Sequence, residues 1–213
     1  MKIALINGSP KTKDSASGLI LKELQELISL KNEIVNLSFT KKQLGRSDLE
    51  LLQDCDAMVF AFPLYVDSLP SHLLSCLIQL ETFLKNTAFS RGCTVYAIVN
   101  CGFYEGRQNT LALDIMKSWC ARAGVIWGGG LGVGGGGMMP MLSHVAAGKG
   151  PKKNFSNALN TLSKRILCQE TGENICFSPN FSRMLYKVAG EMGWRQSAKS
   201  NGLTRRDLWN KEV

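Results

Sequence analysis

A short strand that ends in a Gly-Ser-Pro loop and leads into a helix opens the chain. Residues 2–7 (KIALIN) form an apolar run rich in branched side chains, which is typical of a buried strand. The loop GSPKTKDSAS follows, and from about Ser17 the apolar residues recur at helical spacing. In such a unit, backbone N–H groups and the positive end of the helix dipole point into the loop. The sequence therefore predicts an anion site at residues 8–17.

The residue types in this loop favour one phosphate held mainly by hydroxyl and amide groups. Ser9, Ser15 and Ser17 supply hydroxyl donors, and Lys11 supplies a positive charge. Neither GxxxxGK[ST] nor GxGxxG occurs here, which excludes an ATPase-type loop and the dinucleotide fingerprint. Any doubly wound protein has a first turn of similar composition, so this loop alone leaves phosphate binding open.

Strand and helix patterns alternate along the next 160 residues. The predicted strands are 2–7, 33–38, 56–62, 93–100 and 124–133. The predicted helices are 17–30, 47–54, 70–86, 107–122 and 154–168. This alternation predicts an α/β fold, a doubly wound parallel sheet of five strands in the order 2-1-3-4-5. The ligand crevice of such a sheet lies at the carboxyl ends of its strands.

The 213 residues suffice for one α/β domain with its own core. We predict that residues 1–170 form this domain and that residues 171–213 form a C-terminal helical extension. Ser178-Pro179 resembles an N-cap followed by a first helical residue. The extension could pack on its own domain, cross to a partner subunit or become ordered on binding, and the sequence does not choose among these.

Charge is concentrated in the last third of the chain. The net charge is +8, and residues 149–213 hold 12 Lys and Arg against 5 Asp and Glu. A basic segment can attract a phosphorylated cosubstrate or nucleic acid, and it can also be an ordinary solvated surface. No nucleic-acid-binding motif accompanies the charge, so we expect a solvated surface and no nucleic-acid partner.

The cysteine pattern indicates a reducing compartment. Seven cysteines occur, without a CxxC pair, and several lie in apolar segments, where a free thiol behaves as a small hydrophobe. His72 and His144 are isolated, so no metal site is expected. No apolar run is long enough to span a membrane, and the N-terminus does not resemble a signal peptide. We therefore expect a cytoplasmic protein.

Aromatic residues mark the loops that follow the third and fourth strands. These loops read PLYVDSLP at 63–70 and NCGFYEG at 100–106. Because the carboxyl ends of parallel strands share one edge of the sheet, both loops should flank the phosphate site. A phosphate site between two aromatic-bearing walls suits a phosphorylated planar ring better than a sugar or a peptide.

These three loops together resemble the flavodoxin-like NAD(P)H-dependent FMN reductases. The resemblance covers roughly residues 1–125 and implies FMN as a tightly bound, non-covalent cofactor. It implies that the ribityl phosphate is held by Ser9, Lys11, Ser15, Ala16 and Ser17. It implies that the isoalloxazine is lined by Pro63, Leu64, Tyr65, Val66 and Asp67. It implies that the other edge of the ring is closed by Asn100, Gly102, Phe103, Tyr104 and Glu105.

The family implies that hydride passes from NAD(P)H to the flavin and that electrons pass on to a small acceptor. The acceptor could be a quinone, free flavin, a nitro or azo compound, or a metal ion. Backbone N–H groups can stabilise the reduced flavin, so we assign no catalytic side chain. We also expect a homodimer or homotetramer in which the C-terminal tail helps to form an interface.

Two features of this chain differ from those of related flavoproteins and restrict which of them it can resemble. Related iron–sulfur flavoproteins carry a cysteine cluster between the second and third strands, where this chain has only Cys55. Short electron-carrying flavodoxins are typically acidic, whereas this chain is basic, which favours a reductase. Two alternatives stay open, namely an FMN electron-transfer protein reduced by a protein partner and a flavodoxin-like scaffold that binds no flavin. FAD is disfavoured because no site for a second phosphate is evident.

A glycine-rich run at 128–137 formally contains GxGxxG at Gly130, Gly132 and Gly135. No clear helix follows it and no acidic residue lies nearby to hold a ribose, so we interpret the match as false. We expect these glycines to allow close backbone approach and the Met138–Met141 segment to fill the core.

Overall fold

Strands and helices alternate in the computed structural model, which describes residues 1–11, 13–86, 92–204 and 207. The strands are β1 (Lys2–Asn7), β2 (Glu33–Ser38), β3 (Ala57–Pro63), β4 (Thr94–Asn100), β5 (Ile126–Val133) and β6 (Ile175–Phe177). The helices are α1 (Ala16–Ile28), α2 (Arg46–Gln53), α3 (Ser71–Asn86), α4 (Thr110–Ala123), α5 (Lys153–Cys168) and α6 (Arg183–Ser200). The predicted α/β class is confirmed.

The strands form a parallel sheet in the order β2-β1-β3-β4-β5-β6. The predicted order of the first five strands is confirmed, and the predicted count of five is wrong. β6 adds a sixth strand, with Ile175 opposite Leu131 and Phe177 opposite Val133. A three-residue strand is too short to show a hydrophobic period, which is why the sequence did not reveal it.

Helices cover both faces of the sheet. α1 and α5 pack on one face, in a core that includes Leu5, Leu24 and Leu162. α2, α3 and α4 pack on the other face, in a core that includes Phe60 and Leu77. All of β4 and nearly all of β3 is buried. This is why these two strands read as continuous apolar runs rather than as alternating patterns.

The glycines of β5 make room for neighbouring side chains and backbone. A Cβ on Gly128 would collide with the ring of Tyr96. The Tyr96 hydroxyl donates to the carbonyl oxygens of Arg165 and Glu170, each at 3.0 Å, and burial raises the pKa of Tyr96 to about 12. Gly130 and Gly132 lie inside β5 rather than in a strand-to-helix turn. Their placement agrees with the interpretation that GxGxxG is a false match here.

The chain divides into two compact units, Met1–Pro179 and Asn180–Val213. α6 begins at Arg183 with Ser182 as its N-cap residue, so the N-cap predicted at Ser178 is wrong. The Ser178 carbonyl accepts a hydrogen bond from Asn154 at 3.0 Å, and the Pro179 carbonyl accepts one from Tyr104 at 3.3 Å. Because of these contacts, Ser178 and Pro179 belong to the first unit and do not begin the helix. The extension predicted from residue 171 accordingly contains β6 as well as α6.

Across the described ranges, no helix is both long enough and apolar enough to cross a membrane.

Candidate functional site

The loop after β1 is organised by Asn7, a residue that the sequence analysis did not select. The Asn7 side-chain oxygen accepts from the backbone N–H of Ser9 at 3.0 Å. Its side-chain nitrogen donates to the Ser15 hydroxyl at 3.3 Å. Ser15 is the N-cap of α1 and accepts from the backbone N–H of Gly18 at 3.0 Å. Asn7 could have been selected from the sequence, because it is a polar residue at the last position of a buried strand.

The positive end of α1 opens into this loop. The first turn of α1 contains no acidic residue, and its leading N–H groups have no acceptor within the helix. The Ser9 hydroxyl is buried and accepts from the backbone N–H of Lys11 at 3.3 Å, while the side chain of Lys11 is exposed. The loop therefore presents amide donors and the exposed positive charges of Lys11 and Lys13, which suit a phosphate.

Asn100 connects the first loop to the two loops predicted to flank it. Its side-chain nitrogen donates to the Ser17 hydroxyl at 2.8 Å and to the Phe62 carbonyl at 3.1 Å. Its own carbonyl accepts from the backbone N–H of Leu64 at 2.8 Å. Ser17 is only 1% exposed. One buried amide thus ties the ends of β3 and β4 to the first turn of α1.

The loop after β3 carries a tight two-residue turn. The backbones of Tyr65 and Ser68 exchange two hydrogen bonds of 3.0 Å, and Val66 and Asp67 between them have φ of 49° and 57°. This left-handed pair matches a type I′ turn, which usually holds Asn and Gly. A β-branched residue rarely adopts this conformation, so Val66 is strained. Its side chain is 98% exposed.

The loops after β3 and β4 carry aromatic and apolar residues at the carboxyl ends of the strands, and some of these residues reach the surface. Tyr65 and Phe103 are exposed, whereas Pro63 and Leu64 at the end of β3 are half-buried. In the loop after β4, Gly102 is exposed and Tyr104 and Glu105 are half-buried. The edge is therefore an open rim on which a flat ring could lie with one face accessible.

The loop after β4 is fastened to β5 and to the segment after it. The Phe103 carbonyl accepts from the backbone N–H of Gly135 at 2.6 Å, and the Cys101 carbonyl accepts from that of Gly136 at 2.7 Å. A Cβ on Gly134 would collide with the carbonyl oxygen of Tyr104. These glycines let the two backbones approach each other. The structure assigns the close approach to the loop at 102–106.

Two buried polar residues lie beneath this loop. Asn109 donates from its side-chain nitrogen to the carbonyl oxygens of Gly106 at 2.9 Å and Val133 at 3.4 Å, and to the Cys101 sulfur at 3.4 Å. Among the described residues its side-chain oxygen has no hydrogen-bond partner. Burial raises the pKa of the Cys101 thiol, which keeps it protonated at neutral pH. Cys101 is thus suited to packing rather than to nucleophilic chemistry.

His72, in the first turn of α3, approaches the first loop. Its ring nitrogen Nε2 lies 3.2 Å from the Gly8 carbonyl oxygen, so the protonated nitrogen would donate to this carbonyl. His72 is half-buried. The sequence indicates no role for His72, because this contact joins two segments that only the folded sheet brings together.

A cavity of about 300 Å³ lies between α1 and the neighbouring strands β1 and β2. Polar side chains from α1 and the two strands line it, including Asn7, Lys22, Gln25, Asn36 and Ser38. None of the residues predicted to bind the cofactor lines this cavity. The cavity adjoins the first loop through Asn7 and Gly18, whereas the loops after β3 and β4 do not line it. No cluster of three or more His, Cys, Asp or Glu suited to a metal ion occurs in the part of the chain that the structure describes.

No protein-family model matches the sequence, and no curated protein matches it. Solved structures do resemble the fold. An NADPH-quinone reductase from P. pentosaceus matches with a TM-score of 0.55 and 12% identity, over 78% of this chain and 98% of its own. A WrbA-like flavodoxin from Agrobacterium tumefaciens matches with 0.54 and 9%, over 80% and 99%. The apo form of an NADH:FMN oxidoreductase (EMOB) matches with 0.53 and 14%, over 81% and 91%.

At these identities the likeness defines the fold alone. The first unit has the flavodoxin-like α/β fold, extended by one strand at the β5 edge. Fold alone does not fix function, because unrelated sites occur on the same fold.

Proposed function

We propose that the chain is an FMN-dependent NAD(P)H oxidoreductase that reduces a small acceptor such as a quinone, a flavin, a nitro or azo compound, or a metal ion. The observation that carries this proposal is the meeting of three loops at one sheet edge, tied together by the Asn100 amide. The names of the structural neighbours, which include a quinone reductase, an azoreductase and an NADH:FMN oxidoreductase, support the same reaction class.

The first loop fits the phosphate of FMN. Ala16 and Ser17 are the first two residues of α1, so their backbone N–H groups are free of intrahelical acceptors and are suited to bind phosphate. Ser9 and Ser15 shape the loop through their hydroxyls, and Lys11 supplies charge from the exposed side. Ala16 contributes although its side chain is apolar, because the binding group is its amide.

The two flanking loops fit the isoalloxazine. Residues 63–67 would lie along one side of the ring, and Asn100 with residues 102–105 would lie along the other. Bound FMN would supply a site that accepts hydride from a nicotinamide and passes electrons onward. The role of the protein is to orient the ring, leave one face open at the rim and direct backbone N–H groups toward the pyrimidine edge. No side chain needs to transfer a proton in this scheme.

We also propose that the protein is cytoplasmic and forms a homodimer or homotetramer. Every cysteine of the chain is free, which suits a reducing cytoplasm. Leu74 and Ile78 on α3 and Leu111 on α4 are exposed apolar residues on two helices that contact each other. They support a homodimer or homotetramer through the first unit. Light scattering of the purified protein measures the mass that decides between them.

The absorption spectrum of the purified protein, before and after anaerobic addition of NADPH or NADH, tests the function. Visible flavin absorption near one equivalent of FMN that bleaches within seconds supports the oxidoreductase. Flavin that stays oxidised with either nicotinamide, yet is reduced by dithionite, favours an electron-transfer protein, for which the flavodoxins among the neighbours are the precedent. A colourless protein that cannot be reconstituted with FMN favours a scaffold that binds no flavin and contradicts the proposal.

A further inference from the structure

The loop after β4, residues 101–106, directs carbonyl oxygens toward the interior of the first unit. The Cys101 carbonyl accepts from the backbone N–H of Gly136 at 2.7 Å, and the Phe103 carbonyl accepts from that of Gly135 at 2.6 Å. Both glycines are buried. These carbonyl oxygens carry partial negative charge, and they point inward rather than toward the rim at the carboxyl ends of the strands.

Asn109 holds the last carbonyl of this loop from beneath. It is the residue before α4, and it is fully buried. Its side-chain nitrogen donates to the Gly106 carbonyl at 2.9 Å and to the carbonyl of Val133, the last residue of β5, at 3.4 Å. The same nitrogen lies 3.4 Å from the Cys101 sulfur. One amide nitrogen therefore fastens both ends of the loop to β5.

The orientation of this amide leaves its oxygen unsatisfied. In the part of the chain that the structure describes, the Asn109 side-chain oxygen has no hydrogen-bond partner, although buried polar atoms are nearly always bonded. Asn109 is the N-cap residue of α4, yet its side chain makes no capping bond. Turning the amide over would bring its oxygen against the carbonyl oxygens of Gly106 and Val133, and acceptors repel each other. The donor nitrogen is therefore the group that this position requires.

We propose that Asn109 is a positioning residue for the flavin site, because it fixes the loop after β4 with its carbonyl oxygens turned inward. This inference rests on the proposed function, in which residues 102–105 lie along one edge of the isoalloxazine. A reduced flavin is richer in electrons than an oxidised one. Carbonyl oxygens released from Asn109 and turned toward the ring would therefore destabilise the reduced form in particular. Asn109 acts through the loop and does not itself touch the ring.

The Cys101 thiol reports on the position of the same loop without any flavin. Its sulfur lies 3.7 Å from the Phe103 carbonyl oxygen and 3.8 Å from the Glu105 carbonyl oxygen, and only 4% of the residue is exposed. A loop that is held in place keeps reagents from this sulfur, whereas a loop that opens exposes it. The rate of labelling at Cys101 therefore measures whether Asn109 holds the loop.

Labelling of the full chain with a thiol reagent, in the absence of FMN, tests the hold on the loop. Asn109→Leu has a similar size but no donor, and we expect Cys101 to be labelled at least tenfold faster in this variant than in the wild type. Mass mapping of the labelled peptides separates Cys101 from the exposed Cys168 and Cys176. Asn109→Ala, which leaves space instead of filling it, should give the same result. Wild-type labelling rates at Cys101 in both variants overturn the inference.

Ser163→Ala is the matched control. Ser163 is buried in α5, and its hydroxyl donates to the Asn160 carbonyl of the same helix at 2.9 Å, so the variant also loses a buried polar group. This loss does not touch the loop after β4. We therefore expect Ser163→Ala to keep the wild-type labelling rate at Cys101, and far-UV circular dichroism confirms that each variant is folded.

The reduction potential of bound FMN tests the effect on the ring. We expect Asn109→Leu to weaken the binding of reduced FMN at least tenfold more than that of oxidised FMN, which lowers the two-electron potential by about 30 mV. A residue that only stabilised the fold would weaken both oxidation states alike. An unchanged potential in Asn109→Leu therefore overturns the inference, and Ser163→Ala should keep the wild-type potential.

Failure of this inference differs from failure of the proposed function. A wild-type protein that binds no FMN overturns the proposed function and, with it, the role of Asn109 at the ring. A wild-type protein that binds FMN, together with an Asn109→Leu variant that keeps the wild-type labelling rate and potential, overturns only the role of Asn109.

Discussion

The side-chain amide of Asn100 donates to the Ser17 hydroxyl across 2.8 Å, although 83 residues separate the two along the chain. The same amide donates to the Phe62 carbonyl. This contact joins the end of the fourth strand to the first turn of the first helix. It ties the loop after β1 to the ends of β3 and β4.

Asn100→Ala should therefore lower stability and weaken FMN binding together. Removal of the amide leaves the buried Ser17 hydroxyl and Phe62 carbonyl without this donor, at a cost of about 1–3 kcal/mol in the free energy of unfolding. Urea unfolding and titration of the apoprotein with FMN measure the two effects. Asn160→Ala, at an exposed residue of α5, is the matched control and should change neither. A stable Asn100→Ala protein with unchanged FMN affinity would contradict this role.

Val66→Asn should stabilise the protein. Asparagine tolerates the left-handed conformation of this turn better than a β-branched residue does, so the gain should be about 1 kcal/mol. Thermal unfolding should show a midpoint raised by roughly 2–4 °C for a chain of this size. Val66→Ala retains the Cβ and should recover only part of the gain. A midpoint that falls with Val66→Asn would mean that the side chain of Val66 makes a stabilising contact.

Gly106→Ala should be strongly destabilising. A Cβ here would collide with the backbone oxygens of Phe177 and Gly132, which belong to two paired strands and cannot move independently. We expect a loss of about 1–3 kcal/mol or more from this overpacking. Gly137→Ala, a few residues beyond β5, has open space around its Cβ and is the matched control. Equal unfolding midpoints for the two variants would contradict this prediction and show that β5 and β6 can shift to make room for the added methyl group.

Stability should fall steeply in alkaline solution. Burial raises the pKa of Cys55 and Cys76 to about 11 and that of Cys120 to about 12, from an ordinary value of 9.0. Between pH 9 and 11 the unfolded chain loses these protons while the folded chain keeps them, so the free energy of unfolding decreases as pH rises. Below pH 8 these thiols should contribute no pH dependence.

Urea midpoints measured from pH 7 to 11 test this expectation. Cys120→Ala should reduce the alkaline slope, although the cavity lowers stability at every pH. Cys168→Ala, at an exposed thiol, should leave the slope unchanged. The same exposed thiol should react rapidly with a thiol reagent in the native protein, whereas Cys101 should react only after unfolding. An unchanged slope in Cys120→Ala would show that the Cys120 thiol does not contribute to the loss of stability at alkaline pH.

Elements that bury a long apolar pattern were predictable. β1 lies at the residues predicted for it, and β3, β4 and β5 differ by one or two residues, because these buried parallel strands read as continuous apolar runs. β2 also lies at the predicted residues, although none of its residues is buried. α1 begins at Ala16, one residue before the predicted start at residue 17, and its N-cap Ser15 bonds to Gly18 within the same stretch of sequence. β6 and the start of α6 were not predictable, since three residues of strand carry no period and Ser178 and Pro179 are held by distant groups.

The candidate site shows the same division. The sequence placed Ser9, Tyr65 and Phe103 on loops that follow strands, and the sheet order brings those loops to one edge. It offered no reason to select His72 or Asn109, because His72 contacts Gly8 on another loop and Asn109 reaches Val133 on another strand. Asn7 bonds within the loop that directly follows it, so its position at the end of a buried strand was a usable signal.

The sequence by itself determined the order of the elements, the parallel sheet and the loops that could carry a ligand. These properties depend on short-range patterns of apolar residues, capping residues and glycines, which act over a few positions. Only the tertiary structure decided the sixth strand, the room that Gly128 leaves for Tyr96, and the amide that joins Asn100 to Ser17. Each of these is a contact between residues far apart in the chain, and it exists only when folding has repaid the entropy of bringing them together.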